Sequence, residues 1–114
     1  MRPKIKKVEF GNIQVNDEVY SDHDLFLFYD GVEPTEKSHR VSKKDFEHMM
    51  LKEPEIIIIS LGFNNAVKID NDVFVLAKKS NIELYALPTP DAIKKFEELV
   101  KKGKKVVARI HITC

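Results

Sequence analysis

His39, Gly62, Asn64, Asn65, Thr89, His111 and Cys114 are the residues of this chain whose types could build a site, provided the fold gathers them. His39 is a candidate charge switch or general acid/base, because an unperturbed imidazole titrates near working pH. Gly62, Asn64 and Asn65 belong to a polar loop, Ser60-Leu61-Gly62-Phe63-Asn64-Asn65. Thr89 stands at an expected helix start, where free backbone N–H groups favour an anion. Cys114 would serve as a thiol contact or nucleophile. Each has a plainer explanation. Glycine and asparagine are ordinary turn residues, and no Gly-x-Gly-x-x-Gly or Gly-Lys-Ser/Thr phosphate loop is present. On a strand, His111 and Cys114 face opposite sides, which works against a nucleophile–base pair unless the tail bends. Asp22-His23-Asp24 would set two carboxylates on one strand face, and His48 should lie on the solvated side of a helix. The histidines have no metal-ligand spacing. No catalytic residue, metal or cofactor is therefore assigned.

In open α/β sheets, ligands bind beyond the carboxyl ends of the strands, so the elements decide whether these residues meet. Residues 5 to 20 alternate apolar and polar, with a turn at Asn16-Asp17, and read as a short hairpin. Leu25 to Tyr29 is an apolar run of strand length, and Val32 to Ser38 reads as a polar loop containing Pro34. Ser42 caps the first helix, with Asp45 at N3 and Val41 placed to pack on Phe46. The unbroken isoleucines of 56–59 suit a central strand covered on both faces.

Residues 71–80 have strand propensity in Val73-Phe74-Val75-Leu76. Asp70 and Asn71 can cap a helix, however, and Val73, Leu76 and Ala77 share a helical face, so helix is the reading adopted. Glu83 to Leu87 is a strand. The last helix takes Thr89 as N-cap, Pro90 at N1 and Gly103 at C′. Val106 to Ile112 closes the chain as a strand. The fold class is α/β, three-layer, with a mixed central sheet and an additional N-terminal β-hairpin layer. If the closing strand runs parallel to the two before it, the candidate residues share one edge; if antiparallel, His111 and Cys114 leave it.

The 114 residues suit one domain, 1–114. With 43% hydrophobic and 32% charged residues, the chain reads as globular and not disordered. No apolar run approaches the ~20 residues of a membrane span. The basic opening, Met1 to Lys7, lacks the apolar core of a secretory signal. A single cysteine excludes an intrachain disulfide and makes the cytoplasm the default location. The net charge of +1 argues against a nucleic-acid binder. Lys101-Lys102-Gly103-Lys104-Lys105 is explained by helix-end lysines.

The spacing of several segments resembles a family. They are Phe10-Gly11-x-Ile13-x-Val15 with Tyr20 and Asp24, Ser38-His39-x-Val41, and Pro54 to Ile59. Leu87-Pro88-Thr89 and the terminal Ala108-x-Ile110-His111-Ile112-Thr113-Cys114 complete the set. The chain is similar to the small uncharacterised domains that include the vertebrate adipogenesis-associated protein and the mitochondrial complex I assembly factor. Family members carry Gly-Thr-Gly after the isoleucine strand, where this chain has Ser60-Leu61-Gly62. The resemblance implies an α/β three-layer fold and no established reaction, and its assembly-factor branch suggests protein partners. The expected function is a non-catalytic binding or assembly module for an unidentified protein, as a monomer or weak homodimer. The alternative is a small-molecule site, with an anionic ligand and a capacity for enzymatic chemistry, built from the strand-end loops.

Overall fold

The computed structural model describes residues 2–114; Met1, the start of the basic opening run, lies outside them. The chain runs β1 (Ile5–Glu9), β2 (Asn12–Val15), β3 (Glu18–Ser21), β4 (His23–Phe28), β5 (Gly31–Glu36), β6 (Arg40–Val41) and α1 (Lys43–Met50). It continues with β7 (Ile56–Ser60), β8 (Lys68–Ile69), α2 (Asn71–Lys79), β9 (Glu83–Leu87), α3 (Thr89–Lys101) and β10 (Val106–Ile110). The main sheet has the order β5-β4-β10-β7-β9. Strands β10, β7 and β9 are parallel, whereas β4 and β5 continue the sheet antiparallel. Strands β1, β2 and β3 form a separate antiparallel sheet, and the short β6 and β8 pair in parallel.

This strand order dictates the layers. From β7 the chain steps through α2 to β9 on one side, then returns through α3 to β10 on the other. Right-handed crossovers in opposite directions put their helices on opposite faces of a sheet. Two cores result. Phe26, Phe28, Ile57, Ile59 and Val107 meet Phe46 and Met49 of α1 and Val73 and Ala77 of α2. Leu25, Leu27, Ile56, Ile58, Ala108 and Ile110 meet Ile93, Phe96 and Val100 of α3, together with Ile13 and Val15 of the small sheet. Alternate residues of each central strand thus feed alternate cores, which is why the isoleucine run is unbroken. Ile57, Ile58 and Ile59 are fully buried, and each such side chain is worth about 1.5–3 kcal/mol.

The mixed three-layer architecture and the helix over 71–79 agree with the sequence reading. Three elements differ from it. The stretch read as a polar loop, Val32 to Ser38, is mostly strand β5; an edge strand tolerates Pro34, which pairs with Leu25. The expected N-terminal hairpin is three-stranded. Thr89 is the first helical residue and Pro88 the N-cap. The reason is tertiary: the Thr89 hydroxyl donates to the His111 carbonyl at 2.6 Å instead of capping its own helix.

Candidate functional site

Because β7, β9 and β10 run parallel, the segments leaving their carboxyl ends share one edge of the sheet. Each candidate can be located from its element upward. Ser60 ends β7 and is buried; its Oγ accepts from the His111 backbone N–H at 2.7 Å and lies 3.1 Å from Thr89 Oγ1. Leu61 N–H donates to Leu87 O, and Thr89 N–H donates to Gly62 O. These bonds lock the three strand ends together.

Gly62 has φ +91, and a Cβ there would collide with the Cys114 carbonyl and come 3.1 Å from His111 Cδ2. Only glycine supplies both that backbone conformation and that clearance. Beyond it, Phe63 N–H donates to Thr113 O, and the N–H groups of Asn64 and Ala66 both donate to Cys114 O. Asn65 turns the chain with φ +57, a left-handed conformation that asparagine tolerates. The side chains of Asn64 and Asn65 remain exposed. The loop therefore clamps the chain's last residues with its own backbone donors. The Thr89 N–H, a candidate anion donor, is likewise spent on Gly62.

Beneath this edge lies a buried ionic network. Arg109 projects from β10 with its side chain only 2% exposed, and its Nη1 donates to Asp24 Oδ2 at 2.8 Å. Asp24, fully buried at the start of β4, also accepts from the Ser38 backbone N–H at 3.0 Å and faces His111 Nδ1 at 2.9 Å. On the far side of the ring, His111 Nε2 lies 3.0 Å from Thr113 Oγ1. With the carboxylate opposite Nδ1, a neutral His111 carries its hydrogen there and accepts at Nε2. A buried charge is tolerable only when paired and hydrogen-bonded, and Asp24 meets that condition through three partners.

His39 covers this network from outside. Its ring stands edge-on to His111, with centroids 4.6 Å apart, and its Nε2 is 3.5 Å from Cys114 Sγ. Cys114 is partly exposed, so the thiol meets His39 and not His111. The pair weighed from the sequence, His111 with Cys114, is therefore replaced by one with the outer imidazole of His39. Phe63 packs at 5.6 Å against Phe10, which is 55% exposed, so an aromatic patch borders the edge.

The fold thus brings His39, Gly62, Thr89, His111 and Cys114 into one connected cluster and leaves Asn64 and Asn65 on its exposed rim. Asp24, Ser60, Arg109 and Thr113 complete the cluster beyond the seven candidates; Ser60 opens the candidate loop, while Arg109 lies outside every candidate segment. Arg109 carried a usable signal: a charge inside Val106-Val107-Ala108-Arg109-Ile110 demands a buried counter-charge. Asp24, at the head of an apolar run, is the matching acid. Asp22 does not share a strand face with Asp24, since it turns the chain at φ +58. His48 is not simply solvated: its ring lies 4.8 Å from Phe26, and its Nε2 is 2.7 Å from Glu33. Among the described residues, no group of three or more His, Cys, Asp or Glu side chains could hold a metal.

Comparison with known proteins adds the following. A model of the family described as protein of unknown function (DUF498/DUF598) matches residues 5–111. A conserved hypothetical protein from Pyrococcus horikoshii OT3 is 25% identical and superposes with a TM-score of 0.84, over 97% of this chain and 99% of that one. The protein MT938 is 24% identical with a TM-score of 0.78, over 98% and 99% of the two chains. A protein from Bartonella henselae described as an outer membrane protein shares the fold at 15% identity, with a TM-score of 0.84 over 99% and 97%. Among the described residues, no helix is long and apolar enough to cross a membrane.

Proposed function

We propose, from the premise that this chain belongs to the family of unknown function DUF498/DUF598, that it is a non-catalytic binding module for a protein partner. Its docking face is the strand-end edge bearing Phe10, Phe63, Asn64, Asn65, His39 and Cys114. The observation that carries this reading is how the loop spends its donors. The N–H groups of Phe63, Asn64 and Ala66 hold the carbonyls of Thr113 and Cys114, so the backbone that could cradle a small anion is already satisfied. What this edge offers outward is an aromatic pair, exposed Phe10 on half-buried Phe63, with two amides, an imidazole and a thiol. Aromatic side chains are enriched at the cores of protein–protein contacts. The sequence resemblance to a complex I assembly factor points the same way by analogy. In this reading the protein works in the cytoplasm, as a monomer or a weak homodimer formed through exposed strand edges.

One contact favours the alternative. Cys114 Sγ at 3.5 Å from His39 Nε2 is a thiol–imidazole pair able to contact a small molecule directly. Two measurements separate the readings. Extract capture with wild-type protein and with Phe63→Ser is followed by calorimetry of the captured partner against both purified proteins. The module reading expects stoichiometric binding that weakens tenfold or more in the variant, because an anchor aromatic is worth about 2 kcal/mol. A thermal-shift panel of phosphate, nucleotides, carboxylates and cofactors tests the alternative. A ligand at a hundred times its Kd adds ~2.7 kcal/mol, on the order of 10 °C for a domain this size. Such a shift, lost in His39→Ala and with no partner captured, would replace the module reading by the small-molecule one.

A further inference from the structure

A cleft opens beside Arg109. It has a volume of ≈ 320 Å³ and is lined by Thr35 and Glu36 of β5, Ser38 and Arg40, Ser42 and Asp45 at the start of α1, and Arg109. Three features of this lining belong together. First, the Arg109 side chain is 98% buried, yet its Nε has no hydrogen bond; Asp45 Oδ1, the nearest carboxylate oxygen, stands at 3.6 Å. The other guanidinium nitrogens are used, Nη1 on Asp24 and Nη2 on Glu36 O at 3.4 Å. A buried donor without a hydrogen-bond acceptor is costly, and the Asp45 carboxylate is too far to serve as one. Second, α1 begins at this cleft, and the first-turn N–H groups of Lys43 and Lys44 have no carbonyl to reach within the helix. Third, Arg40 lines the same cleft with Nε and Nη2 held by Asp70 at 2.7 Å, so that Nη1 stays available.

We propose that this cleft binds a small oxyanion that carries its own proton donor. The acceptor oxygens serve Arg109 Nε, Arg40 Nη1 and the α1 start, and the donor serves the carboxylates of Asp45 or Glu36. Counting Asp24 on Arg109 and Asp70 on Arg40, carboxylates outnumber the two guanidinium groups, which selects against polyanions such as nucleic acid or a triphosphate and requires the ligand to bring its own proton donor. Asp45 reaches toward the same position: its Oδ2 accepts from the Ser42 N–H at 2.9 Å, while its Oδ1 stands 3.6 Å from Arg109 Nε. A protonated phosphate and the carboxylate of an amino acid both have the required chemistry.

The test is a nitrogen-15 NMR titration of the whole chain with inorganic phosphate and, separately, with glycine, each against sodium chloride of equal ionic strength. The expected result is a saturable downfield move of the Arg109 Nε–H signal, together with the Lys43 and Lys44 amides. Whichever probe produces it identifies the source of the oxyanion. Arg40→Gln, at a side chain 70% exposed and therefore compatible with folding, should weaken that binding about tenfold, the value of one charge-assisted hydrogen bond. A response to both probes that does not saturate, or that chloride reproduces, would overturn the proposal. So would saturable binding that Arg40→Gln leaves unchanged.

Discussion

Asp24 and Arg109 sit where neither charge could exist alone. Both are removed from water, and the acid's other contacts, the Ser38 N–H and His111 Nδ1, satisfy what the guanidinium leaves open. The cluster is built outward from that pair. Arg109 and Asp24 orient His111, His111 supports His39, and His39 meets the thiol of Cys114. Gly62 is the complementary residue, acting by having no side chain at all. Replacing it with alanine forces a Cβ into the Cys114 carbonyl at a backbone angle that L residues rarely adopt. Gly62→Ala should therefore destabilise the domain by about 2 kcal/mol or more, read as a lowered urea midpoint. It should also release the Phe63, Asn64 and Ala66 amides from protection against hydrogen exchange. A variant with the wild-type midpoint would mean that the tail does not press on Gly62 in solution.

At the scale of elements, the short β6–β8 pair ties the front of the sheet to α2. Arg40 of β6 makes a two-pronged pair with Asp70, the N-cap of α2. The hydrogen bonds from Arg40, followed by its charge, hold the Asp70 carboxyl below the ordinary aspartate range. A carboxylate depressed in this way stabilises the fold above its unfolded value, and the contribution is lost as pH falls through the lower, folded value. Arg40→Gln should raise the Asp70 titration midpoint toward the ordinary aspartate range, measured by carbon-13 NMR of the carboxyl. A midpoint unmoved by the substitution would show that Arg40 does not engage Asp70 in solution. The β5 edge teaches a related lesson. Pro34 reads as a loop residue because it cannot donate to a ladder, yet an outer strand has one side that needs no donor.

For the molecule as a whole, one sheet serves two cores, so neither helix layer has a partner without the other's strands. Strands β7 and β10 lie at the centre, contributing Ile56 and Ile58 to one core and Ile57, Ile59 and Val107 to the other. Unfolding should then follow a single urea transition, with the amides of β7 and β10 exchanging only through global opening and those of β6 and β8 exchanging earlier. Two separated transitions, or faster exchange in β7 than in β8, would contradict a shared core.

Local signals in the residues were enough to determine the class and most elements: the isoleucine run, the Ser42–Asp45 cap, the amphipathic last helix and the helix over 71–79. Each depends on neighbours within one or two turns of chain, where spacing and propensity act directly. The candidate site was legible only as separate pieces. His39, Gly62, Thr89, His111 and Cys114 were recognisable as polar or special residues at element ends, but their meeting depends on the direction of β10 beside β7. That direction follows from burying both faces of one sheet, a property of the whole chain. The same holds for Asp24 and Arg109. They are 85 residues apart in sequence, and only the closed sheet removes enough water around them to make each the necessary partner of the other.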